Sequence, residues 1–421
     1  MARAAVEEKA EEEDKFKGVA DFLEVVSKLP PALAGVVLSA AVAAKLWQRC
    51  NRLKLRPSAS EDGEGESLTV RDILLGGSAF AGMFEPISVE EVFLVLKEAV
   101  DLGITHIDTA PHYGLGLSEE RIGGFLRHNR MLPNSLTRKS EEVKVYTKVG
   151  RLIRPRAEVG QSIDEADVQW DNVPDSDDCI FKGIPADRVA VLDYSSKGAL
   201  SSFRESEGRL GEGAIHGLRV HDCETEALLA AATATASGDS TPAKAGALAG
   251  LGDLKAQGKI KSVGIGVNDP SFALRALHTK PAGSLIDTVM IAGSWNLLDQ
   301  SAHDLLLHCQ KKGIEVHNAG VFASGLIMGG TTYRYAPAPR AMIEKARRWR
   351  VLCQKHDVKV ATAALAFAYL PECVKKVAIG VKSVGELRES LEALKGPKGV
   401  PKELWMDAKK EGLLPKTLFF K

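Results

Sequence analysis

The chain has 421 residues, 45% of them hydrophobic and 26% charged, which is ordinary globular material with enough apolar content for a sizeable core. Lys plus Arg balances Asp plus Glu at 55 each, so no net field draws the protein to nucleic acid or an acidic polymer, and small-molecule chemistry is the expectation. The six cysteines, at 50, 179, 223, 309, 353 and 373, form no CxxC pair and read as packing residues in a reducing compartment, with neither a disulfide framework nor a zinc site.

Residues 1–67 read as an N-terminal extension. Residues 1–17 are charge-dense and mostly acidic, unlike a signal or transit peptide. Leu29–Ala44 carries no charge and is followed by the basic cluster Lys45, Arg49, Arg52, Lys54 and Arg56. Extended through Trp47, the apolar segment 29–47 approaches the length that a helix needs to cross a bilayer core. Two readings stay open: a membrane association through 29–56, with the basic flank holding the rest of the chain in the cytosol, or a helix packed on the protein or on a partner. A cytoplasmic location suits both. SASEDGEGES, Ser58–Ser67, reads as a flexible linker and places the folded domain at 68–415.

From residue 70 onward, short aliphatic and β-branched runs alternate with stretches of helical period. The predicted strands are 72–78, 104–110, 143–150, 215–222, 260–267, 287–293, 313–320 and 374–381. Predicted helices between them include VEEVFLVLKEAVDLG, SEERIGGFLRHN, SSKGALSSFRESEGRLG, SAHDLLLHCQKKG and VATAALAFAYL. Eight strands alternating with helices predict an α/β fold, a (β/α)8 TIM barrel, with its active site at the C-terminal ends of the strands. The rival, an open doubly wound sheet, expects GxGxxG after its first strand, and LGGSAFAG does not fit that spacing. Long excursions at 151–195 and 223–248 follow the third and fourth strands and fall on the catalytic face; the second reads equally well as an insertion without a role.

The strand ends list the candidate chemistry. The second strand delivers Asp108 and, in the turn, Tyr113; the third delivers Lys148; the fourth delivers His221, followed by Asp222. Singly, each has a plain structural meaning: a solvated lysine, a satisfied histidine, a packed tyrosine. Together they form a metal-free proton-transfer group. A phenol titrates near 10, and a neighbouring ammonium lowers that value. Aspartate holds the lysine, and histidine donates a hydrogen bond to a carbonyl oxygen. Such a group suits hydride transfer between carbon and a nicotinamide. His106 and His112 flank the motif and are set aside.

DTAPHYGLGLSEERIG, Lys148 in YTKVGRLIRP and His221 in LRVHD resemble the aldo-keto reductase superfamily over about residues 70 to 396. VLDYSSKGALSSFRESEGRLG, IKSVGIGVNDP, AGSWNLLDQSA and YRYAPAPRAMIEKARRW extend the resemblance to the D-threo-aldose 1-dehydrogenase group, which includes L-fucose and L-galactose dehydrogenases. The resemblance implies a TIM barrel of the aldo-keto reductase type, NAD or NADP as cofactor, and a catalytic tetrad of Asp108, Tyr113, Lys148 and His221. It implies Asn268 at the nicotinamide carboxamide and Ser324 and Gly325 along the pyrophosphate. It places Gly380, Lys382, Ser383 and Glu389 at the adenosine end. Departures are Ser390 in place of the family's asparagine after Glu389, Ala292 and Ala319 where many members carry glutamine and an aromatic, and AGSWN for AGRYT.

Phe84, Phe181, Trp295 and Phe322 are nominated as aromatic walls of the substrate pocket. The expected activity is oxidation of an aldose such as L-galactose, L-fucose or D-arabinose to its lactone. The alternatives are a general aldehyde or ketone reductase and a cofactor-binding regulatory module tethered through the N-terminus.

Overall fold

All eight predicted runs form strands: β1 (Ile73–Gly76), β2 (His106–Asp108), β3 (Lys144–Val149), β4 (Ile215–His221), β5 (Ser262–Val267), β6 (Thr288–Ala292), β7 (Glu315–Ala319) and β8 (Val374–Gly380). In the computed structural model they pair in parallel, in chain order, and β8 closes back on β1. Helices fill the gaps where helical period was read, among them Val89–Asp101, Leu117–Arg130, Ser196–Leu210, His303–Lys312 and Val360–Tyr369. Local chemistry sets their ends. Ser88 and Ser195 cap the first and third of these by accepting from the backbone N–H groups of Glu91 and Gly198, and Gly313, at φ 68°, ends the fourth. The fold is the (β/α)8 barrel.

The structure describes residues 52–56, 68–130, 142–170, 173–174, 179–235, 245–395 and 400–418. The apolar segment 29–47, the linker 58–67 and the tip of the second excursion lie outside the described residues. No helix among the described residues is long and apolar enough to cross a membrane. The five described cysteines are buried and free, as packing residues would be.

The outer faces of the strands pack against the helices as one large apolar core. The inner faces alternate with them. Leu74, Tyr146, Met290 and Ala378 form an apolar layer inside the barrel, and polar side chains stand above it toward the C-terminal ends. The first excursion is ordered as a three-stranded antiparallel sheet of Arg151–Pro155, Val168–Gln169 and Arg188–Leu192.

The expected domain start at residue 68 is corrected. The barrel unit begins at Leu53, upstream of the linker. Leu53 and Leu55 are buried in the main core, and Leu55 bridges to Pro371. Arg56, read as part of a basic flank, is 5% exposed. Its guanidinium donates to the carbonyls of Tyr369 (2.5 Å), Pro371 (2.7 Å) and Val374 (3.0 Å) and lies 3.7 Å from the Tyr369 ring centre. The physical reason is the junction from helix Val360–Tyr369 to β8, where the helix's last carbonyl and those of the following turn and strand start converge and attract a cation. Arg56→Ala is expected to lower stability by about 2–3 kcal/mol, the cost of stranding buried carbonyls, and a chain starting at Ser67 by at least as much. Urea denaturation checks this; an unchanged midpoint in both would show that the segment is dispensable.

Candidate active site

Asp108 ends β2, and the pleat turns its side chain into the barrel, as it does Lys148 on β3 and Arg219 and His221 on β4. Lys148 is 2% exposed. Its Nζ donates to Asp108 Oδ2 (2.6 Å), to the Thr109 carbonyl (2.8 Å) and toward Tyr113 Oη (3.0 Å). Tyr113 is carried in by the turn after β2, where Gly114 and Gly116 hold positive φ. Its ring meets that of His221 edge-on at 5.9 Å and Phe181 at 6.0 Å. The four residues named for the tetrad thus converge on one point at the C-terminal mouth.

Burial dominates the electrostatics. It pushes the Tyr113 hydroxyl well above its ordinary value, reinforced by Asp108 and Asp222 and opposed by Arg219 and Arg151. Burial also lowers Lys148, with Asp108 opposing and Arg219 adding to the fall. His221 is held neutral by burial and by Arg151 and Lys148. Such an arrangement can pass a proton between Tyr113 and Lys148 while a neutral imidazole offers one N–H.

Several neighbours escape sequence reasoning. Arg219 and His317 are fully buried: Arg219 reaches Asp108 Oδ1 (2.5 Å) and His317 Nδ1 (2.5 Å). Arg151, from the excursion, contacts Asp222 Oδ2 at 3.3 Å, and the Tyr194 hydroxyl donates to the His221 carbonyl. His112, set aside from the sequence, packs edge-on against His221 at 5.7 Å. One signal was available. Arg219 lies two residues before His221, so the period of two places it on the same inward face; the excursion residues offered none.

The aromatic walls divide. Phe181 is buried against Tyr113, and Phe84, 41% exposed, stands at the mouth with φ 67° and stacks on Tyr335 at 6.5 Å. Phe322 is half-buried against the main core. Trp295 is withdrawn from the pocket: it is fully buried and stacks on Phe367 at 5.2 Å, because the turn after β6 points it outward into the helical layer.

At the positions named for the cofactor, Asn268 follows β5 and its Nδ2 donates to Asp222 Oδ1 (3.3 Å). Ser324 and Gly325 have φ of 55° and 84°. A Cβ on Gly325 or Gly380 would meet nothing within 4 Å, so both backbones border open space. Lys382 pairs with Glu85 at 2.5 Å, Ser383 caps helix Val384–Glu392, and Glu389 is exposed on that helix. Amide, hydroxyl, open glycine backbone and half-buried lysine fit the donor set that a dinucleotide requires.

Fold and site define a class, a barrel oxidoreductase dependent on NAD(P). The chain belongs to the aldo/keto reductase family, which it matches over residues 72–400. It is 31% identical over 367 residues to a D-threo-aldose 1-dehydrogenase from Pseudomonas sp, covering 85% of this chain and 98% of that one. It is 31% identical over 358 residues to a pyridoxal 4-dehydrogenase from Microbacterium luteolum, covering 82% and 95%. In fold it is similar to an aldo-keto reductase from Bacillus halodurans in its holo form, with a TM-score of 0.55 at 18% identity over 88% of this chain and 99% of that one.

Asp108→Asn would leave Lys148 and Arg219 without a counter-charge. A loss of about 3–5 kcal/mol of stability is expected, read by chemical denaturation, with part of it recovered when Arg219→Met is added.

Proposed function

We propose that the protein is an aldose 1-dehydrogenase. In the oxidative direction, the anomeric hydroxyl of a cyclic aldose gives its proton to Tyr113 Oη while hydride leaves the same carbon, and the ring, already closed as a hemiacetal, becomes a lactone. The bound NAD(P) supplies the hydride acceptor. The observation that carries this reading is the chain of contacts Asp108–Lys148–Tyr113, at 2.6 and 3.0 Å, in a buried mouth. Burial alone would keep Tyr113 neutral, so its exchange of protons depends on Lys148. Neutral His221 orients the reacting oxygen as a hydrogen-bond donor.

Asn268 would hold the nicotinamide carboxamide. Ser324 and Gly325 would line the pyrophosphate, and Gly380, Lys382, Ser383 and Glu389 the adenosine end. Phe84, Phe181 and Phe322, joined by Tyr335, would receive the apolar face of the substrate. The relative named for aldoses is as similar as the one named for pyridoxal, and this equality keeps a second reading, a dehydrogenase or reductase of aldehydes, beside the first.

Absorbance at 340 nm with L-galactose, L-fucose, D-arabinose, pyridoxal and a simple aldehyde, each with NAD and NADP, decides between them. Turnover of at least one aldose with the highest kcat/KM of the panel is expected. Inert aldoses beside a reactive aldehyde would replace the first reading with the second. Tyr113→Phe is expected to lower kcat by roughly 100-fold to 10,000-fold while cofactor still binds; near-normal kcat would remove Tyr113 from the mechanism.

A further inference from the structure

Arg219 is a charge that this chemistry leaves unused. It is 0% exposed in the barrel interior, where β5 makes room for it. A Cβ on Gly264 would stand 3.1 Å from Arg219 Cγ, and one on Gly266 would stand 3.9 Å from Arg219 Cδ and 3.7 Å from Lys148 Cε. The guanidinium lies 4.5 Å from the Tyr146 ring centre. Its terminal nitrogens are spent on Asp108 and His317, and its Nε has no partner among the described residues. For stability alone, an aliphatic side chain of that size would serve as well.

The charges around Lys148 do not cancel. Asp108, His112 and Tyr113 face it from β2 and its turn, and Arg219, His221 and Asp222 from β4; β5 presents Gly266, and on the far side of Arg219 stand Tyr146 of β3 and His317 of β7. Arg151 is matched by Asp222. Glu224 turns to the backbone of Asn268 and Asp269. Burial keeps His112, His221 and His317 neutral. Among the described residues, one carboxylate, Asp108, is thus shared by two cations. A guanidinium keeps its charge at every working pH, so the excess falls on Lys148.

The hydrogen bonds of Lys148 accommodate both of its states. As an ammonium it donates to Asp108, Thr109 and Tyr113. As an amine it keeps the first two bonds and accepts the third from the Tyr113 O–H. Only one bond reverses.

We propose that Arg219 is a positioning residue: by occupying one oxygen of Asp108 it makes the Lys148–Tyr113 pair release a proton at lower pH, which readies that pair to accept the substrate's hydroxyl proton and favours oxidation. The proposal rests on the role given to Tyr113 above. In the step, the substrate O–H bond breaks and its proton joins Tyr113 Oη. The proton of Tyr113 crosses to the Lys148 lone pair, and the C–H electron pair leaves as hydride to NAD(P)+. One alcohol is oxidised, one nicotinamide is reduced, and the proton rests on Lys148.

Two measurements on the full chain test this. In the pH profile of kcat/KM for oxidation, with whichever substrate the parent turns over, activity falls on the acidic side as the pair regains its proton. Arg219→Met is expected to move that limb up by about 1 to 3 pH units, and Arg219→Lys to leave it within about half a unit. A limb that stays in place in folded Arg219→Met overturns the proposal, since a merely structural role lowers activity at every pH alike. The second measurement needs neither substrate nor cofactor. Lys148 is depressed in the folded chain, so between its folded value and the ordinary lysine value the unfolded state binds more protons, and stability rises with pH. Urea stability of the parent from about pH 7 to about pH 10 is expected to rise more steeply than that of Lys148→Met, with Arg219→Met between them. Equal slopes for parent and Lys148→Met overturn the proposal even where Arg219→Met does not fold. Failure to turn over aldoses bears on the substrate reading alone and leaves this comparison as a complete test.

Discussion

The active mouth depends on one buried negative charge. Asp108, 2% exposed, gives one oxygen to Lys148 and the other to Arg219. In a low-dielectric interior neither cation is tolerable without a partner, so Asp108 fixes where both side chains lie. Through Lys148 it fixes Tyr113. The barrel supplies the frame, but this pairing turns three strand ends into one site.

The surroundings refine what that site can do. Burial alone would leave a tyrosine too reluctant to ionise and a lysine too ready to lose its charge. Coupled over 3.0 Å, the two defects compensate, because the proton that one holds too tightly is the one the other can take. The first excursion closes the site from the side with Phe181 and ties the fourth strand's end with Arg151 and Tyr194. Membership of the aldo/keto reductase family agrees with an oxidoreductase site at this mouth.

Much of this was legible in the sequence, and the reason is periodicity. Buried parallel strands write themselves as short aliphatic runs, and their inward ends expose Asp108, Lys148 and His221 as polar breaks in those runs. What stayed hidden depends on distant contacts. Arg56 read only as one of a basic cluster because nothing local shows that carbonyls of Tyr369, Pro371 and Val374 await it. Trp295 read as a pocket wall because a turn residue's direction is set by the packing of Phe367, far along the chain. Arg219 and His317 were visible on inward faces by alternation, yet their pairing across the barrel joins strands almost a hundred residues apart.

Asp108, divided between two cations, is what would leave the lysine of the Lys148–Tyr113 pair as the proton acceptor. Neutron diffraction from crystals of the cofactor-bound enzyme, grown above the acidic limb of its oxidation profile, tests it most directly. Two deuterons on Lys148 Nζ and one on Tyr113 Oη are expected, with Arg219 bound to Asp108. Three deuterons on Lys148 together with a protonated Tyr113 would contradict it.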